Sequence, residues 1–138
     1  MKSRPAKRGP SAESGAASSA VQQIRRGDIL WICCDPSVGS EPKKTRTCVV
    51  VSNDIANRYG RAITVVPTQD FTAERAARAY MVDLRRPRST LDAPRVANAS
   101  MVMTYDRARV VSKAGRVAPD TLLRLDEALT MHLGLAAL

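Results

Sequence analysis

The chain has 138 residues, 44% of them hydrophobic, and 22 Lys and Arg against 13 Asp and Glu give a formal net charge of +9. That length builds one domain around one core and leaves no room for a second enzyme-sized domain. No apolar run approaches the roughly 18 to 20 residues of a membrane span, and the N-terminus lacks a secretory apolar region, so a soluble, cytoplasmic protein with no membrane partner is expected. Seventeen of the basic residues are Arg, whose planar guanidinium matches phosphate with two parallel bonds, which points to an anionic partner.

Residues 1–23 read as a disordered basic tail, because Ser, Ala, Gly, Pro and Lys/Arg dominate and almost nothing large and apolar is available for burial. Lys2, Arg4, Lys7 and Arg8 against Glu13 give the tail +3, leaving +6 on a body that spans 24–138. The body opens with a β-rich run, Gly27 to Cys33, followed by a turn-rich polar loop from Asp35 to Pro42. Cys48 to Ser52 is a continuous β-branched run, the pattern of a strand buried on both faces. Asn53 to Gly60 reads as a turn or a single helical turn.

Ala62 to Pro67 repeats the buried-strand pattern, and Pro67 is expected to end it by removing a ladder donor. Ala79 to Leu84 and Met101 to Tyr105 read as further strands, with Ala108 to Val111 a continuation after a bend. Arg75, Arg78, Arg85, Arg86 and Arg88 crowd around the first of these, so its flanking loops should be strongly positive. Pro119 to Leu133 reads as a helix: Pro suits the first turn, Leu122, Leu125, Leu129 and Leu133 recur at spacings of 3 and 4, and Gly134 supplies the stop. Short strands plus one amphipathic helix predict a mainly β fold, a small curved sheet or partial barrel capped by that helix.

The single histidine, His132, excludes hydrolases that use a histidine pair as acid and base, and it excludes a His-rich metal centre. It falls on the polar flank of the predicted helix. Cys33, Cys34 and Cys48 lack CxxC spacing, which argues against a disulfide scaffold or structural zinc, and neither metal nor cofactor is expected. Arg46 sits at the base of a predicted buried strand, a rigid platform that a surface Arg lacks. Taken alone it reads equally as a strand-end surface charge, and Lys43 and Lys44 as phosphate-steering charges. Thr68, just past Pro67, presents a hydroxyl at a sheet end, or an ordinary turn hydroxyl bonded to nearby backbone. Trp31 offers a stacking face for a base, or core and rim packing.

Taken in order, Arg26 to Trp31, Asp35 to Glu41, Arg46, Val49 to Asp54, Thr64 to Thr68, Ser100, Asp106 to Lys113 and Leu125 to Leu129 closely resemble the MazF/PemK (Kid) toxins of bacterial toxin–antitoxin systems. The resemblance spans about 25–135. It implies an SH3-like barrel with a terminal helix, a homodimer, and sequence-specific, metal-independent cleavage of single-stranded RNA. The implied chemistry is 2′-OH attack on the adjacent phosphate, giving a 2′,3′-cyclic phosphate and a 5′-OH end, under the control of an acidic MazE-like antitoxin.

By the same resemblance the family's key Arg falls on Arg46, its key Thr on Thr68, and an Asp used in the Kid branch on Asp106. Ser40, Glu41, Lys43, Lys44, Arg78 and Arg107 are the corresponding RNA-binding candidates. Thr47 stands where the family usually has Pro, and Arg107 where Gln is common. Ser40 and Thr104 replace a His and an Arg of the Kid branch. A CcdB-like gyrase poison, which shares the architecture without cleaving RNA, is the alternative expectation, and a non-catalytic nucleic-acid-binding module is a third.

Overall fold

The computed structural model describes residues 23–85, 91 and 93–136. Within them run β1 (Asp28–Cys33), β2 (Thr45–Val50), α1 (Asp54–Tyr59), β3 (Ala62–Asp70), α2 (Ala73–Ala76), β4 (Met81–Asp83), β5 (Arg95–Asn98), β6 (Met103–Asp106), β7 (Val110–Arg116) and α3 (Pro119–His132). Single 3-10 turns lie at Ala99–Met101 and Arg107–Arg109. The strands form one antiparallel sheet in the order β4-β5-β3-β2-β1-β7, with β6 also on β3. This is the expected mainly β fold with a terminal helix. The basic tail, apart from Gln23, and Arg86 and Arg88 fall outside the described residues.

β3 is the spine. One edge pairs with β6 through Ala62–Val65 and then with β5 through Thr68–Asp70, while the other pairs with β2 through Val65–Pro67. Pro67 therefore does not end the strand, as its missing N–H had suggested. Thr64 O accepts from Val51 N on the β2 side, and Phe71 N donates to Pro94 O beside β5, so the odd-numbered residues turn their backbone groups toward the β6/β5 edge. Pro67 falls in the gap between those two strands, where no ladder bond is lost.

The sheet curls. Register shifts between Ile29 and Leu30 and between Trp31 and Ile32 bulge β1 against β7, which bends and twists a strand pair. As its sequence pattern required, β2 is buried on both faces: Cys48 and Val50 join Leu30, Ile32, Ile63, Val65, Tyr105 and Val110, while Val49 joins Ile29, Val66, Ala97, Leu125 and Ala128 beneath α3. Trp31 sits on the rim, 41% exposed.

α3 starts on Pro119 and ends as expected: Gly134 takes φ 69°, and Leu135 N donates back to Thr130 O at 2.9 Å. Its buried stripe is Thr121, Leu125 and Ala128, and Leu133, expected in that stripe, is exposed because it already belongs to the cap. The Arg26 guanidinium bridges Asp126 of α3 and Val51 O, tying the helix to the start of the sheet.

The middle of the chain departs most from expectation. Ala79 to Leu84 contains only three strand residues, preceded by the short α2. Met101 to Tyr105 is a 3-10 turn capped by Asn98 and then β6, and Ala108 to Val111 is another such turn running into a longer β7. β5, at Arg95–Asn98, was not expected at all. No helix among the described residues is long and apolar enough to cross a membrane.

Candidate active site

The ladder between β2 and β3 ends at the Cys48–Pro67 pair. Where the strands part, a cavity of about 320 Å³ opens, walled by Ser40–Lys43 of the first loop, by Arg46 of β2, by Pro67–Asp70 of β3, and by Arg75, Asn98 and Met101.

The loop wall is held in place by its own backbone. Lys44 adopts φ 63°, a left-handed turn that brings its N–H to Asp35 Oδ1 (3.0 Å) and its carbonyl to Cys34 N (2.7 Å). Arg109 clamps the loop's start by donating to the carbonyls of Cys33 (3.1 Å) and Asp35 (2.5 Å). Glu41 Oε1 accepts from Val38 N, and Lys43 Nζ donates to Gly39 O. Ser40, Glu41 and Lys43 thus reach the cavity, as the sequence suggested. Lys44 does not: its conformation serves the turn.

Arg46 pairs with Ile32 in the β1–β2 ladder, so the guanidinium is carried on a strand and not on the loop. Its Nε donates to Lys43 O at 2.9 Å, while neither terminal nitrogen has a partner among the described residues. The two terminal nitrogens of a guanidinium form a planar fork whose geometry matches phosphate. Below it, the buried Cys34 thiol is drawn down to about 7, chiefly by a hydrogen bond from Cys48 and also by the Arg46 charge, while the same contact and burial push Cys48 up.

Thr68 lines the cavity but is only 2% exposed. Its Oγ1 lies 2.6 Å from Thr47 Oγ1 and accepts from Arg95 Nε at 3.0 Å, and Arg95 also donates to Thr68 O (2.9 Å) and Asp70 Oδ1 (2.5 Å). Burial holds the Arg95 pKa below that of a free arginine, opposed by Asp70 and reinforced by the like charges of Arg46 and Arg75. The sequence reading missed Arg95 because it foresaw no strand there. Its two signals, an Arg directly after Pro94 and a following run of small and β-branched residues, are too short to separate from a loop. Arg75 was seen only as one charge in a basic cluster. In the structure its Nη1 bonds Asp70 O at 2.8 Å, and it, not Arg78, faces the cavity.

Two further candidates lie elsewhere. Asp106 pairs with Ala62 at the opposite end of β3 from Thr68, about 20 Å away at strand rise, and its carboxylate caps a 3-10 turn through Ala108 N. A single chain therefore does not bring Asp106 to Arg46. Arg107 donates through Nη2 to the carbonyls of Asn57 and Gly60, fastening the end of α1, so its guanidinium serves the fold and not the cavity. Among the described residues no three His, Cys, Asp or Glu side chains gather as metal ligands would.

Residues 25–133 match the family described as PemK-like, MazF-like toxin of type II toxin–antitoxin systems. The chain is 38% identical over 117 residues to endoribonuclease MazF9 of Mycobacterium tuberculosis, covering 81% of this chain and 98% of the relative. It is 29% identical over 112 residues to endoribonuclease MazF of Staphylococcus epidermidis, covering 81% and 92%. Among solved structures, a mycobacterial endoribonuclease in complex with its cognate antitoxin superposes with a TM-score of 0.67 at 23% identity, covering 83% of this chain and 99% of that one. MazF from Deinococcus radiodurans superposes with 0.69 at 20% identity, covering 80% and 96%, and shares the fold. With its match over nearly the whole described body, the chain belongs to the PemK-like, MazF-like family of type II toxin–antitoxin toxins.

Proposed function

We propose that this protein is an endoribonuclease toxin that cuts single-stranded RNA at short sequences without a metal, works in the cytoplasm as a homodimer, and is silenced by a cognate acidic antitoxin. The observation that carries the reading is the guanidinium fork of Arg46, unpaired among the described residues and held on a strand over a cavity where Lys43, Arg46 and Arg75 outnumber Glu41 and Asp70, the latter already paired with Arg95. The relatives matched in sequence are named endoribonucleases, which favours RNA cleavage over a gyrase poison or a non-catalytic binding module. The solved relative paired with an antitoxin supports a protein partner of that kind here.

In the proposed reaction the 2′-oxygen bonds to phosphorus as the bond to the 5′-oxygen breaks, leaving a 2′,3′-cyclic phosphate. The 2′ proton departs and the 5′-oxygen takes one up. Arg46 binds the non-bridging oxygens and stabilises the charge of the phosphorane, which a preorganised cation does best in a partly enclosed site. A guanidinium keeps its proton at any working pH and is a poor proton acceptor. Of the two carboxylates on the wall, Asp70 is committed to Arg95, which leaves Glu41 to accept the 2′ proton.

Thr68 supports the phosphate from the β3 wall. Arg95 can only donate to its hydroxyl, and a second bond donated by Thr47 would leave the Thr68 proton for the anion. Incubation with single-stranded RNA in EDTA, followed by mapping of the ends, tests the whole scheme. Cyclic-phosphate and 5′-OH ends are expected. Arg46→Ala should lower turnover by about 100-fold or more with an unchanged melting temperature. Uncut RNA, metal-dependent cutting or a fully active variant would each refute the assignment.

A further inference from the structure

Gln69 sits at the cavity wall beside Thr68, and no motif in the sequence marks it out. The Cys48–Pro67 pair and the Thr47–Thr68 hydroxyl contact continue one register, and its next step sets Gln69 across the cleft from Arg46. Gln69 and Arg46 thus line the same cavity, one on each strand.

A chain of hydrogen bonds fixes which way the Gln69 amide faces. Ser100 N is a backbone donor and nothing else, and it donates to Asn98 Oδ1 at 3.0 Å, with Ser100 Oγ adding a second bond at 2.5 Å. The oxygen of Asn98 is thereby committed, so its Nδ2 must face the other way, where it donates to Gln69 Oε1 at 3.1 Å. That bond in turn commits the oxygen of Gln69. Its Nε2 has no partner among the described residues and carries two N–H groups that can only donate. A backbone N–H two residues beyond the β5 position of Asn98 thus dictates the polarity of a side chain at the cavity wall.

From this relay we infer that Gln69 reads the nucleobase beside the scissile phosphate, accepting a base whose purine C6 or pyrimidine C4 carries a keto oxygen and rejecting one that carries an exocyclic amino group at that position. A keto oxygen, as on guanine or uracil, completes a hydrogen bond to Nε2. The amino group of adenine or cytosine in the same place sets donor against donor and leaves both unpaired, which is the stronger source of discrimination. The inference rests on the ribonuclease reading above and adds its base specificity.

The relay supplies its own test. A pool of single-stranded RNA 20-mers, randomised at the centre, is cut by the purified full chain, and the cut ends are sequenced to give the keto-to-amino ratio at each flanking position. For the wild-type protein a ratio of about ten or more is expected at one of those positions, the size of one well-formed base contact. Gln69→Leu should bring that ratio to about one. Asn98→Asp is nearly isosteric: a carboxylate has no donor, so the Gln69 amide turns to give its N–H to position 98 and shows its oxygen to the RNA. The preference should then reverse toward amino bases. Gln69→Glu should reverse it too, by placing an acceptor there directly.

A side chain that only supported the fold would change the rate and leave the ratio alone. Wild-type protein that leaves the pool uncut would overturn the ribonuclease reading and this inference with it. Cutting whose ratio is the same in the wild type and all three variants would overturn the inference alone.

Discussion

Thr47 occupies a position where the toxins this chain belongs with usually carry Pro, and its hydroxyl fills the gap that opens as β2 and β3 diverge. Thr47 is 4% exposed and Thr68 2%, so each hydroxyl is the other's substitute for water. Thr47→Val keeps the shape and removes one donor. Thr68 then retains only Arg95 as a partner, and the loss of a buried hydrogen bond costs about 1 kcal/mol of stability, read as a lower denaturant midpoint. Turnover should fall with little change in KM, and Thr47→Ser should restore most of it. Strand patterns placed Arg46 and Thr68 at sheet ends, but it was the ordered family resemblance that singled them out. Neither marked Arg95, Gln69 and Asn98: their roles arise from bonds between β3 and β5, strands more than twenty residues apart in the chain.

At the scale of elements, the reading succeeded where burial imposes a period. β2 and β3 are apolar on consecutive positions because both faces are covered, one by the curled sheet and one by α3. α3 showed its 3-and-4 spacing and its Pro and Gly ends for the same reason. Leu125 is fully buried at the centre of that contact, so Leu125→Ala should cost about 2 to 5 kcal/mol through lost burial and the cavity left behind. Urea denaturation measures it. Because the cluster under α3 lies apart from Arg46, kcat of the remaining folded protein should hold. The segment from Ala73 to Val111 defeated the pattern because its strands are short and partly exposed. The β5 strand exists by pairing with β3 and β4, not by any preference its four residues display.

For the molecule as a whole, the charge divides in two: +3 on the first 23 residues and +6 on the body, where the cavity wall sets Lys43, Arg46 and Arg75 against Glu41 and Asp70. Gln23 already belongs to the body, since its carbonyl accepts from Lys113 Nζ at 3.0 Å. We therefore expect removal of residues 1–22 to leave both the fold and the cleavage sequence unchanged. RNA binding should become less steeply salt-dependent, by roughly 0.7 in log–log slope for each phosphate contact the tail had supplied. End mapping and a salt titration of binding check both, and an altered cleavage sequence would place the tail in recognition.

The sequence by itself determined the class of fold, the family and the strand-borne arginine, because these depend on local patterns: apolar runs, turn residues and a motif order that survives in one dimension. Only the tertiary structure decided which charges meet. It set Asp106 and Arg107 at the far end of β3, away from the cavity, and it brought in Arg75, Gln69 and Asn98, with Arg95 bonded to Thr68 and Asp70 of the wall. The physical reason is that a hydrogen bond fixes direction as well as proximity. The hydrogen bond that Ser100 N donates to Asn98 settles the polarity of Gln69 two side chains away, and no spacing along the chain records that.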